Sequence, residues 1–319
     1  MLLLSEAETK EALPFPALIA ALEDMFRTGC DMPVRHHHDI KVPGEPDATL
    51  LLMPAWVPGR YSGVKIAHVV PGNADRGLAA VSASYLLSDA RTGAALALID
   101  GGELTARRTA AASALAAKYL AREESSELLV AGTGRLASNL IGAHAAVRPI
   151  RSVKVWGRSH DKAQGVADRA KAEYGLSVEV ADNLEEACAT ADIISAATLS
   201  IDPLIKGAWL KPGTHLDLVG AFRPDMRESD DEAVCRGRVF VDTREGCCKE
   251  GGDIVQPLKS GVLTPERILA DLYNLTRGSH PGRTAPVEIT LFKSVGAALE
   301  DLAGAVLAYR SVKASMVWK

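Results

Sequence analysis

The stretch Glu127-Leu-Leu-Val-Ala131, running straight into Gly132-Thr-Gly134-Arg-Leu-Ala137, restricts the fold of this chain more than any other. A short apolar run without Gly or Pro suits a strand, and two closely spaced glycines end it. The spacing is G-x-G-x-x-A. Gly132 suits a tight turn, Gly134 lets backbone approach a pyrophosphate, and Ala137 lets a following helix sit close on the strand. The helix start offers unpaired N–H groups and partial positive charge to a phosphate. Such a turn is weak evidence alone, but here apolar runs and helical patterns alternate for about a hundred residues.

Strands are predicted at 127–131, 152–156, 177–180, 193–196, 215–218 and 239–242, with helices at 135–147, 161–174 and 184–189. Regular βα alternation with short apolar strands implies an α/β fold with a doubly wound parallel sheet, the Rossmann arrangement. Residues 132–137, including Thr133, Arg135 and Leu136, form the expected phosphate cradle of a dinucleotide. The end of the second strand decides which dinucleotide fits. Val155-Trp-Gly-Arg158-Ser159 has no carboxylate for a ribose 2′-hydroxyl, whereas Arg158 and Ser159 suit a 2′-phosphate by charge and hydrogen bonding. NADP(H) is therefore the expected cofactor, with NAD(H) the alternative if Asp161 serves the ribose instead. Thr198, Ser200, Val219 and Gly220 follow later strands and are expected to line the same cleft.

The first 110 residues are mixed. A helix is expected at 16–28, with Leu18, Leu22, Met25 and Phe26 on one face, then strands at 49–54, 62–70, 81–88 and 95–99. An Ala-rich helix follows at 105–122. Beyond Asp242 the pattern is irregular: a short helix at 268–275 and a last long helix at 291–312, through Phe292, Val295, Leu299, Leu302, Val306 and Tyr309. That helix is expected to return to the first domain.

Net charge is −4, which argues against a general nucleic-acid binder. No apolar run approaches the length of a membrane span, and the opening residues lack the basic region of a secretory signal, so a cytoplasmic location is expected. The five cysteines are odd in number without a C-x-x-C pair, which reads as reduced thiols; Cys247 and Cys248 point apart on an extended chain. His36, His37 and His38 also diverge, with no second ligand cluster, so no metal site is expected. His68 reads as a structural histidine, with a general acid or base as the alternative. Three cations stand out by context: Arg35, Lys65 within Gly63-Val-Lys-Ile-Ala67, and Arg108 near the start of the Ala-rich helix. A lysine in an apolar strand needs an anionic partner if buried, while snorkelling surface cations are common.

Five segments together carry a resemblance. They are Gly63-Val-Lys65-Ile, Pro71-Gly-Asn73, Leu104-Thr-Ala-Arg-Arg108-Thr-Ala-Ala-Ala-Ser113, the Gly132-Thr-Gly134 turn, and Leu291-Phe-Lys-Ser-Val-Gly296. On these the chain resembles the ornithine cyclodeaminase/mu-crystallin family over nearly its whole length. The resemblance implies an α/β substrate-binding and dimerisation domain from residues 1–112 and 290–319, an NAD(P)-binding domain from 113–289, and a homodimer. It implies that Arg35, Lys65 and Arg108 converge on a substrate carboxylate, with Lys65 also helping to protonate a nitrogen. Cyclodeaminases of the family carry an Asp where Val219-Gly-Ala-Phe222 places Phe222, and Phe cannot relay a proton. The following segment is similar to members that reduce cyclic ketimines. The expected activity is NADPH-dependent reduction of Δ1-pyrroline-2-carboxylate or Δ1-piperideine-2-carboxylate, as in proline metabolism. The alternatives are an alanine-type amino-acid dehydrogenase, an ornithine cyclodeaminase, and a non-catalytic, crystallin-like cofactor binder.

Overall fold

A computed structural model describes residues 1–317. The chain divides into two compact units, one of Met1–Arg108 with the chain from Ala298 onward, the other of Thr109–Ala297.

The first unit is built on a six-stranded sheet. Its strands are β1 (Leu2–Leu4), β2 (His36–Ile40), β3 (Ala48–Val57), β4 (Tyr61–Val69), β5 (Val81–Asp89) and β6 (Ala95–Asp100), in the order β1-β6-β5-β4-β3-β2. Side chains alternate between faces, so register decides what is buried. Met53, Lys65, Tyr85 and Ile99 stand opposite one another across β3, β4, β5 and β6, and all are buried. The helices Phe15–Thr28 and Ala298–Val317 pack together, and the second also packs on β3 to β6. The next row, Pro54, Val64, Leu86 and Leu98, points to the opposite face and is only partly covered. The opening strand β1, the edge strand β2 and the helix Glu6–Ala12 escape the sequence patterns. That helix nevertheless carries a legible start, the reciprocal Ser5/Glu8 capping box.

The second unit holds an eight-stranded, all-parallel sheet. It comprises β7 (Glu127–Ala131), β8 (Ser152–Trp156), β9 (Ser177–Val180), β10 (Ile193–Ala196), β11 (His215–Leu218), β12 (Gly237–Val241), β13 (Ile268–Asp271) and β14 (Ile289–Lys293). The order is β13-β12-β14-β11-β10-β7-β8-β9. It reverses between β7 and β10, the switch point outside whose carboxyl ends such sheets bind ligands.

Two expectations for the C-terminal third need correction. Residues 268–275 form strand β13 and then the helix Leu272–Thr276, not one helix. The last helix starts at Ala298, because 289–293 are the central strand β14 between β11 and β12. Leu291 and Phe292 are wholly buried there. A strand covered on both faces is a continuous apolar run, which periodicity cannot separate from a helix. Gly296, at φ +81°, breaks the chain between strand and helix. The units accordingly divide after Arg108 and Ala297, where the sequence places the divisions after 112 and 289.

Candidate active site

The first unit brings the three cations together. Lys65, 4% exposed, lies on the covered face of β4. Its Nζ pairs with Asp301 Oδ2 at 2.8 Å and donates to Thr105 Oγ1 at 3.4 Å. Arg108 donates from Nε to Asp301 Oδ1 at 2.9 Å and from Nη1 to Glu300 Oε2 at 2.6 Å. Its Nη2 makes no hydrogen bond to the described residues. Thr105 and Arg108 share a face of the helix Gly101–Leu120 because they are one turn apart. Arg35 is half-buried, and its charge acts on Lys65.

Asp301 is thus the bridge between Lys65 and Arg108. Burial lowers the Lys65 ammonium to about 8, against the pull of Asp301 and with the push of Arg108 and Arg35. Burial would lower Arg108 too, but Asp301 and Glu300 hold it above its ordinary value. Burial would raise Asp301, yet Arg108 and Lys65 keep it below the usual carboxylate range.

Glu300 and Asp301 were not among the residues singled out from the sequence. Their signal was present: two acids inside Ala298-Leu-Glu-Asp-Leu-Ala-Gly304, a run with no polar stripe of its own. The first ten residues of that helix are buried all but one. A charge in such a helix has to meet a charge. Tyr85 was also missed. It stands opposite Lys65, with its hydroxyl buried and without a hydrogen bond to the described residues.

In the second unit the glycine turn has the form a dinucleotide needs. Gly132 has φ +132°, and a Cβ there would lie 2.5 Å from the Ala197 carbonyl oxygen, so a side chain is excluded. Gly134 caps the helix Arg135–Ala145 without a side-chain cap, and a Cβ on it would meet nothing within 4 Å. Ala137 is buried against the sheet, while Arg135 is exposed and Thr133 and Leu136 are half-buried. This uncapped, open helix start fits a pyrophosphate. At the end of β8, Arg158 is exposed and makes no hydrogen bond or ion pair to the described residues. Ser159 Oγ caps the next helix by accepting from Lys162 N at 3.4 Å, and Asp161 lies in that helix's first turn.

The residues after β10 and β11 have partners within the protein. Thr198 donates from both its N–H and its hydroxyl to Glu228, at 2.6 and 2.8 Å. Gly220 N–H donates to the same carboxylate at 2.7 Å, and Ser200 Oγ donates to the Asp202 carbonyl at 2.6 Å. Val219 is buried, its N–H donating to the Ala196 carbonyl at 2.8 Å. Phe222 is 49% exposed. Glu228 gave no sequence signal, being one acid among many in 225–232.

The sequence profile of the ornithine cyclodeaminase/mu-crystallin family matches residues 1–316. The chain belongs to that family. It is 47% identical over 318 residues to an uncharacterized protein of Schizosaccharomyces pombe, covering 96% of each chain. It is 40% identical over 282 residues to Delta(1)-pyrroline-2-carboxylate reductase of Paracoccus denitrificans, covering 88% of each. Among solved structures, Delta(1)-pyrroline-2-carboxylate reductase of Thermococcus litoralis, in complex with NADH and L-proline, superposes with a TM-score of 0.92 at 35% identity. That match covers 99% of this chain and 98% of the other. The family resemblance read from five short segments therefore holds, as does the α/β, Rossmann-type fold class.

Proposed function

We propose that this member of the family is an NADPH-dependent oxidoreductase that reduces the C=N bond of small cyclic ketimine carboxylates. Δ1-pyrroline-2-carboxylate would give L-proline, and Δ1-piperideine-2-carboxylate would give L-pipecolate. The observation that carries this reading is the buried Lys65–Asp301–Arg108 cluster. Among the described residues Lys65 Nζ meets only Asp301 and Thr105, and Arg108 Nη2 has no partner, so both keep donor capacity, and the charge of Arg35 acts on Lys65. That set suits a single carboxylate. Paracoccus and Thermococcus relatives named for this reductase activity support it, and so does Phe222 in place of a proton-relaying acid.

The chemistry asks little more of the protein than placement. Held by its carboxylate, the protonated imine is an electrophile fixed in position, which supplies the orientation part of the rate. A bound reduced nicotinamide supplies the hydride. Hydride delivered to the imine carbon would make the new C–H bond there, the C=N π pair becoming the nitrogen lone pair of the amine. Lys65, as an ammonium, holds the carboxylate and stands as the donor of the proton that converts the imine to the iminium before hydride adds, its amine then taking a proton back from solvent.

For the cofactor, Arg158 at the end of β8, exposed and without a partner among the described residues, is the group that favours a 2′-phosphate. An Arg158→Ala variant will raise KM for NADPH about tenfold, the loss of one solvent-exposed charge-assisted contact, and leave KM for NADH unchanged. The test of the whole reading is absorbance at 340 nm with NADPH and each ketimine, repeated with NADH. Rapid NADPH oxidation with either ring supports it. NADPH that binds but is not oxidised overturns it, and oxidation only with pyruvate plus ammonia would make the chain an amino-acid dehydrogenase.

The homodimer is part of the same reading. Its support is the partly covered outer face of the six-stranded sheet, where Leu3, 66% exposed, continues the apolar row of Leu98, Leu86, Val64 and Pro54. A mass of one chain by light scattering at micromolar concentration would rule it out.

A further inference from the structure

A second buried charge cluster lies at the carboxyl ends of β10, β11 and β14. Glu228 is fully buried, and its two carboxylate oxygens reach two different loops. Oε1 accepts from the N–H and the hydroxyl of Thr198, in the loop after β10, at 2.6 and 2.8 Å. Oε2 accepts from the N–H groups of Gly220 and Ala221, in the loop after β11, at 2.7 and 3.3 Å. The loops touch so closely that a Cβ on Gly220 would lie 1.9 Å from the Thr198 carbonyl oxygen. One carboxylate therefore ties together two backbone segments that no strand pairing joins.

The carboxylate is itself held. The N–H groups of Glu228 and Ser229 both donate to Asp253 Oδ1 at 2.9 Å, from the first turn of the helix Gly252–Ser260. Lys293, the last residue of β14, is wholly buried, with Nζ 3.4 Å from Asp253 Oδ2 and 4.0 Å from Glu228 Oε2. That Nζ makes no hydrogen bond to the described residues. On the far side of Lys293, Cys247 Sγ donates to the Lys293 carbonyl, and Asp242 accepts from Cys247. Two carboxylates thus share one ammonium next to the loops.

We propose that Glu228 is a positioning residue for the cofactor: it clamps the loops after β10 and β11 under the half of the dinucleotide that lies beyond the pyrophosphate, and Lys293 keeps it ionised for that task. This rests on the dinucleotide reading above. The glycine turn after β7 holds the phosphates, so the β10 and β11 loops on the other side of the switch point receive the nicotinamide half. An ionised carboxylate can accept all four donors at once. A protonated one gives up the charge that strengthens all four contacts. Burial and the charge of Asp253 raise Glu228 to about 7, with Lys293 opposing. The clamp consequently loosens as pH falls through that value.

The test compares binding of NADPH with binding of 2′-phospho-ADP-ribose, which lacks the nicotinamide, by calorimetry on the whole protein. The ratio of the two affinities isolates the nicotinamide ring, the outermost part of that half, and cancels any titration of the 2′-phosphate. In Glu228→Gln the amide nitrogen must face one pair of donors. The ratio should fall about tenfold, the worth of one charged hydrogen bond, while the fragment binds within twofold of wild type. In wild type the ratio should decline below about pH 7, and Lys293→Met, which removes the opposing charge, should move that decline to higher pH. A folded Glu228→Gln protein with the wild-type ratio overturns the proposal. Should that variant fail to fold, a wild-type ratio that stays flat from pH 6 to 8.5 overturns it equally. Wild-type protein that binds neither ligand instead defeats the dinucleotide reading itself.

Discussion

A Lys65→Met variant will reduce cyclic ketimines with kcat/KM roughly thirty- to a thousandfold below wild type. Truncating one partner of a buried, hydrogen-bonded charge contact costs about 2–4 kcal/mol, and each 1.36 kcal/mol is a factor of ten. Methionine fills nearly the same space, and it leaves Asp301 paired with Arg108, so the loss reports the ammonium and not a cavity. The pH dependence adds a second check. Lys65 sits at about 8, and only its charged form can hold a carboxylate or give a proton. Wild-type kcat/KM should therefore fall as pH rises above 8. Lys65→Arg separates the two duties, because guanidinium stays charged but does not surrender a proton. If Lys65 only binds, Arg restores KM and kcat together and abolishes the alkaline fall. If Lys65 also donates the proton, KM recovers while kcat stays low. A Lys65→Met enzyme with wild-type kcat/KM would remove Lys65 from the site altogether.

How much of this was legible beforehand depended on the range of the interaction. The glycine turn could be read because its requirement is local: one positive φ, one open helix start, and one small residue against a strand, all within 132–137. The strands β7 to β11 were read residue for residue because each is a short apolar run bounded by turn residues. Where two periods compete, the reading failed. Phe292 and Leu291 suit a helix face and a doubly covered strand equally well, and only their pairing with β11 and β12 decides. Lys65 could be recognised as a residue in need of an anion, but its partner Asp301 is 236 positions away, and nothing in spacing connects them. The family resemblance drew Arg35, Lys65 and Arg108 together without the acids that hold them. Glu228 was invisible for a related reason: its significance lies in the four donors it gathers, three of them backbone, and backbone N–H groups carry no sequence signature.

Replacing Asp301 by asparagine should have the largest effect on the fold of the first unit, and one that reaches its chemistry. Asp301 is fully buried and contacts two buried cations at 2.8 and 2.9 Å. Removing one partner of a buried ion pair typically costs about 3–5 kcal/mol, because the other charge is left without compensation. Arg108 keeps Glu300, and the introduced amide can still accept one hydrogen bond, so a loss near 3 kcal/mol is expected, read as a lower urea midpoint at unchanged slope. Lys65 keeps no carboxylate. Its proton affinity, already lowered by burial, falls further, since Asp301 was the group holding it up. The alkaline fall in kcat/KM should then move from pH 8 toward neutrality. A purely structural role for Asp301 would lower stability and leave that limb where it was. The double variant Lys65→Met/Asp301→Asn carries the argument one step further. With the ammonium already gone, losing Asp301 affects only Arg108, which still keeps Glu300, so the two stability losses should fall short of additive by at least about 1 kcal/mol. Strict additivity would mean that Lys65 and Asp301, for all their proximity, are not energetically coupled, and the bridge would have to be assigned to Arg108 alone.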